Sequence, residues 1–128
     1  MNFVKINGEK IGLKSNLKVA ATQKNVRLAM QFMKDNAEVD LDQKRLNNRK
    51  NKENKETYDP EYFVNNMDLQ MKAIDLVPKF LTMILHLDKK EISTIDNADF
   101  SELKDFALNL ALKVLGINPS GSETSRAK

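Results

Sequence analysis

The feature that most constrains this chain is an apolar stripe introduced by Asp59-Pro60-Glu61. Phe63, Met67, Met71, Ile74, Val77, Leu81 and Ile84 follow at intervals of three and four residues, and Leu85 adjoins the last. That is the repeat of one helix face, and it commits the middle of the chain to a long helix with a face to cover. The start is well specified. Asp59 can accept from exposed N–H groups, Pro60 already has helical φ, and Glu61 complements the positive helix end. Pro78 removes one hydrogen bond and clashes a turn back, so a kink or break is expected between Ile74 and Val77. Phe80, Leu81, Met83, Ile84, Leu85 and Leu87 make the second half apolar on several sides, which predicts the most buried element of the chain.

A second helix is marked at both ends. Asp99 with Glu102 three residues on resembles a capping box. Leu103, Phe106, Leu110 and Val114 follow at 3, 4 and 4, with Ala107 and Ala111 beside them. Gly116 supplies a left-handed stop, Ile117 can fold back, and Pro119 prevents a restart. Ser93 to Asp96 reads as a short turn leading in. Residues 118–128 are small and polar and are expected to form a disordered tail.

The N-terminal half is read from shorter signals. In FVKINGEKIGL, Val4 and Ile6 alternate with Lys5, and Ile11 and Leu13 with Gly12. Asn7-Gly8 between them is a strong hairpin signal, because both residues tolerate the positive φ of a type I′ turn. A hairpin within residues 1–14 is therefore expected, lying on helices because two strands alone are marginal. Ser15 or Asn16 can cap a helix running from Leu17 to about Asn36 through Ala20, Ala21, Leu28, Phe32 and Met33. Asp35, Asn36 and Asp40 mark a break. A further helix is read from Leu41 to about Arg49.

The chain has 128 residues, with 21 Lys and Arg against 18 Asp and Glu, a formal charge of +3. Its length suits one domain, here residues 1–117 followed by the tail. The charge is local. Lys44, Arg45, Arg49, Lys50, Lys52 and Lys55 against Glu53 and Glu56 give +4 between residues 44 and 56, leaving the remainder at −1. After Leu46 no hydrophobic residue appears before Tyr58. Residues 44–57 therefore read as a basic polar spacer, a solvated loop or a solvent-facing helix. The 17 lysines and 14 asparagines also suit a low-GC genome, because their codons are A/T-rich.

Little of the sequence carries chemistry. There is no cysteine and one histidine, His86, which excludes disulfides, thiol nucleophiles, Cys-based zinc sites and two-imidazole sites. Asp88 and Ser93 are near His86 in sequence, but residues two apart do not face each other on a helix, so His86 reads as a helix-end residue. Asp96, Asp99, Glu102 and Asp105 lack the alternate spacing and central glycine of a calcium loop, and capping explains them. The four glycines, Gly8, Gly12, Gly116 and Gly121, are scattered and form no phosphate loop. The basic segment could meet phosphates, but no aromatic lies between Phe32 and Tyr58 to stack on bases. No run is long enough to span a membrane, and MNFVKINGEK lacks the layout of a signal peptide. The expectation is a cytoplasmic protein with no enzyme activity, cofactor or metal. Met30, Met33, Met67, Met71 and Met83 lie on helix stripes, where unbranched thioethers suit either a core or an adaptable apolar groove.

The order of these segments carries a resemblance. FVKINGEKIGLK leads into a Lys-rich amphipathic helix, a charged spacer, an apolar helix and DFSELKDFALNLALKVLGI ending at a glycine. This resembles the tail assembly chaperones of long-tailed phages infecting Gram-positive bacteria, over residues 1 to about 117. The resemblance implies a mainly helical, non-enzymatic protein that self-associates in the host cytoplasm and is absent from the mature virion. It also implies a client, the long helical tape measure protein, held until tail tube protein polymerises around it. The basic spacer departs from the family layout.

The reading is thus mainly α, about four helices with a small N-terminal β-hairpin, a flexible basic spacer and a disordered tail. Two stripes are expected to meet client or copies: Phe63, Met67, Met71 and Ile74, and Leu103, Phe106, Leu110 and Val114. Some of these residues must also form the core. The rival functions are a small phage regulator binding nucleic acid through residues 44–56, and a minor tail or head–tail structural subunit.

Overall fold

In the computed structural model, residues 2–52 and 59–117 are described. Two short strands, β1 (Phe3–Ile6) and β2 (Leu17–Ala20), precede four helices: α1 (Gln23–Lys52), α2 (Pro60–Leu85), α3 (Lys89–Asp96) and α4 (Phe100–Val114). The mainly helical architecture with an N-terminal hairpin is as the sequence implies. The details of the first half are not.

β1 pairs antiparallel with β2, Phe3 opposite Ala20 and Ile6 opposite Leu17. The second strand is therefore not Ile11–Leu13, and the hairpin extends beyond residue 14. The Asn7-Gly8 pair makes no two-residue turn. The Asn7 carboxamide accepts from the Glu9 N–H at 2.8 Å, which starts a 3-10 turn over Glu9–Ile11. Gly8 has φ −99°, outside the left-handed region. Its carbonyl accepts from Ile11 and Leu13, and its N–H donates to the Lys14 carbonyl. Glycine is needed there for space, since a Cβ would stand 2.8 Å from a Leu17 methyl and 2.9 Å from the Leu13 Cβ. The wide loop lets Ile11 and Leu13 enter the core, which a tight hairpin would have kept on the sheet.

Leu17 to Ala20, read as the start of a helix, is strand. Four residues are too few for periodicity to separate the two. α1 begins instead after Thr22, whose hydroxyl accepts from the Asn25 N–H, while the Asn25 side chain donates to the Ala20 carbonyl. α1 then runs for 30 residues without the expected break at Asp35 to Asp40. Asn36 donates its side-chain N–H to the Phe32 carbonyl one turn back, a bond compatible with a continuous helix. Residues 44–52 of the basic segment belong to this helix, and 53–57 lie outside the described residues, as do residues 118–128.

α2 starts as read, Asp59 accepting from the Glu61 N–H with Pro60 at the first position. It passes through Pro78 as one helix. An interior proline costs about 3 kcal/mol, and burial of Val77, Phe80, Leu81 and Ile84, at about 1.5–3 kcal/mol each, outweighs it. The Ser93–Asp96 turn is part of a full helix, α3, opened by a reciprocal capping box between Asp88 and Glu91. α4 ends as expected. Gly116 at φ +78° lets Ile117 donate to Leu112 and Gly116 to Lys113, closing the helix in a Schellman turn.

One core joins Ile6, Ile11, Leu13 and Val19 to Ala29 and Phe32 of α1, Val77 to Ile84 of α2, Ile95 of α3 and the inner face of α4. Its membership stops at Met33 on α1 and resumes at Leu76 on α2. Beyond those points the two helices continue as an arm. They run antiparallel: Phe32 stacks on Phe80 with ring centroids 4.3 Å apart, Gln43 meets Gln70, and Asn47 meets Tyr62. The nineteen residues of α1 beyond Met33 correspond to about 28 Å of helix.

Candidate functional site

The arm has a thin seam. On α1 the buried positions are Val39 and Leu46, seven and fourteen residues after Phe32. On α2 the half-buried positions Tyr62, Asn66, Leu69, Ala73 and Leu76 recur at 4, 3, 4 and 3 and lead to Phe80. That is the spacing of a helix face paired along its length. Much of this seam is polar. The Gln70 amide donates to the Gln43 carbonyl oxygen at 2.9 Å, Gln43 donates to Asn47 at 3.1 Å, and the Tyr62 hydroxyl donates to Asn47 at 2.6 Å.

The more apolar face of α2 is a different one. Phe63, Met67, Met71 and Ile74 lie on one side of the helix, well round from the face towards α1. Towards the C-terminus the same stripe continues into Val77, Leu81 and Ile84, all at most 2% exposed beneath the body. In the arm it is open: Met67 is 37%, Met71 61%, Ile74 45% and Phe63 47% exposed. Val64, 54% exposed, widens it. α4 packs against both α1 and α2 in the body, and among the described residues no element takes that place along the arm.

The structure thus divides the two stripes singled out in the sequence. Leu103, Phe106, Leu110 and Val114 are buried in the core of the chain itself. Phe63, Met67, Met71 and Ile74 stand at the surface. A second, smaller apolar feature went unread. Leu28, Phe32, Leu76, Phe80 and Met83 line a cleft of about 170 Å³ where the arm joins the body, with Asp35 and Lys79 at its lip. Its residues come from two helices, and only their pairing brings them together.

Among the described residues the titratable groups make no reactive cluster. His86 is exposed and closes α2 in the left-handed conformation. Asp99 accepts from the Glu102 N–H at the start of α4. Among the described residues the core contains no polar or charged side chain, and no three acidic or histidine groups are placed to hold a metal. No helix in this range is long and apolar enough to cross a membrane. The basic residues are interleaved with acids: Arg45 pairs with Asp42 at 3.0 Å, and Asp68 shares a shallow surface with Arg45 and Arg49.

A helical hairpin arm with an open apolar face suits a binding role. Compared with protein families, residues 4–128 match the model of phage tail assembly chaperone proteins. The chain belongs to that family. No curated protein and no solved structure showed a significant match. In this tail assembly chaperone, the arm carries a continuous stripe of exposed large apolar side chains, Phe63, Val64, Met67, Met71 and Ile74. Membership also places the protein among partners of phage tail components.

Proposed function

We propose that this chaperone self-associates and holds the tape measure protein soluble in the host cytoplasm during tail assembly, leaving before the virion is complete. The observation that carries this reading is the divided stripe of α2, covered in the body and open along the arm. A monomer exposing a continuous apolar helix face is prone to aggregation unless that face meets a client or another copy. A long helical client presents the matching repeat of apolar residues at i, i+3, i+4 and i+7. The methionines at 67 and 71 suit this task, because their unbranched side chains repack against varied partners.

Co-expression with an apolar segment of the tape measure protein tests the reading. The expected result is that the segment stays in the supernatant and co-purifies with this chain. Serine at Met67, Met71 and Ile74 should abolish both effects. A segment that is equally insoluble with and without the chaperone overturns the proposal. Mass spectrometry of purified virions should find the tail tube and tape measure proteins but not this chain.

A further inference from the structure

The body packs on one side of the α1–α2 pair, through Ala29 and Met33 of α1 and Val77 and Leu81 of α2. On the opposite side the cleft at Phe32 and Phe80 opens into two shallower depressions that reach the level of Arg49 and Asn65. Asp35, Leu76 and Lys79 line the first two and Asp68 the last two, so they form one furrow along the arm. Its rims are charged in a definite order. From the body outwards, the α1 rim carries Asp35, Glu38 and Asp42, then Arg45 and Arg49. In the same direction the α2 rim carries Lys79 and Lys72, with Asp75 between them, then Asp68 and Glu61. All lie about 60–140° round their helix from the Phe32–Phe80 contact, on this one side. Each rim thus changes sign near its middle, and the two rims change in opposite senses. Among the described residues the one salt bridge, Arg45 to Asp42, joins neighbours on α1, and the other rim charges make no ion pair there.

Such an order is its own complement. A two-fold axis across the arm, at the level of residues 42 and 70, lays α1 on α1 and α2 on α2 of a second copy, antiparallel. Asp35 then meets Arg49 of the other copy, and Glu38 meets Arg45. On α2, Glu61 meets Lys79, Asp68 meets Lys72, and Asn65 meets Asp75. Each pair occurs twice. The α1 pairs are centred on residue 42 and the α2 pairs on residue 70. The fold sets those two centres at one level, because the Gln70 amide donates to Gln43 at 2.9 Å. Asp42, next to the axis, is already neutralised by Arg45 of its own chain at 3.0 Å. With the arms parallel, Asp75 would instead stand beside Glu38 of the second copy. From this match we infer that a second copy docks furrow to furrow with the arms antiparallel. The inference rests on the proposed self-association and gives it a surface. Exposed ion pairs contribute little each, so they fix register and orientation in a reversible, salt-sensitive pair. Phe63, Met67 and Ile74 lie on the far side of α2 and stay open to a client.

The test is sedimentation equilibrium of the full chain at low and high salt, with helix content of each variant checked by circular dichroism. The chain should associate at low salt and dissociate as salt rises. Asp68→Lys alone sets Lys against Lys72 of the second copy, and Lys72→Asp alone sets Asp against Asp68. Each should weaken association roughly tenfold, since two attractive pairs become two repulsive ones. An equimolar mixture of the two variants restores opposite charges at both places, so it should associate as the unmodified chain does. A mixture no better than either variant alone overturns the inference, because a parallel pair or a different surface gives no such rescue. Association that ignores both variants but is lost on Met67→Ser/Met71→Ser/Ile74→Ser overturns it too, and places the second copy on the stripe. A chain that is monomeric at low salt yet still retains the tape measure segment removes self-association altogether and leaves the client reading standing.

Discussion

His86 is the one non-glycine residue with positive φ among the described residues, at +55°. Its N–H donates to the Thr82 carbonyl and closes α2, a position where glycine has no Cβ penalty. His86→Gly is expected to stabilise the fold by about 0.5–1 kcal/mol, read as a higher urea midpoint with an unchanged slope. Gly12 is the opposite case. It sits at φ +85°, and an added Cβ would lie 2.6 Å from the Thr94 methyl of α3. Gly12→Ala should lower stability by about 1–3 kcal/mol in the same measurement. Residue-scale signals were read correctly where they act within one turn, as at Asp59, Asp99 and Gly116. They misled at Asn7-Gly8, because the turn chosen there depends on the burial of Ile11 and Leu13 in a core that forms later in the chain.

At the scale of elements, α2 shows how position along one helix sets the value of a side chain. Phe80 is buried and stacked on Phe32, so Phe80→Ala should cost about 3–5 kcal/mol in urea unfolding. Ile74 belongs to the same helix and lies in the open stripe. Ile74→Ser should change stability by no more than about 0.5 kcal/mol while removing client binding. The stripe itself was fully legible, residue by residue. Its division was not, because periodicity reports that a face is apolar and is silent on what covers it. The seam of Tyr62, Asn66, Leu69, Ala73 and Leu76 does not stand out in the sequence for a related reason. Its polar members weaken the apolar pattern, and their role as rungs appears only with Gln43 and Asn47 opposite. Asp35, Asn36 and Asp40 resemble a helix stop, so local signals divide α1 in two. Packing of Phe32, Val39 and Leu46 along α2 overrides that local preference.

For the molecule as a whole, the fold separates a body built round a buried core from an arm that carries a continuous open apolar stripe, while Phe3, Met30, Phe100 and Ile117 are exposed singly on the body. Linking Gln43 to Gln70 by a disulfide, through Gln43→Cys/Gln70→Cys in a chain with no other cysteine, tests how the arm works. If the client lies on the outer stripe of a closed arm, the oxidised protein should retain the client in a pull-down as well as the reduced one. The sequence by itself determined the helical class, the caps of α2 and α4 and the apolar stripe. These follow from short-range geometry and residue chemistry, which a linear reading contains. Only the tertiary structure decided where the second strand lies, that α1 is unbroken, and which of two equally apolar stripes is core. Those outcomes depend on contacts between residues far apart in the chain. The stripe of α4 is buried because α1, α2, β1 and the 3-10 turn all reach it, and the first half of the α2 stripe is exposed because no element among the described residues covers it.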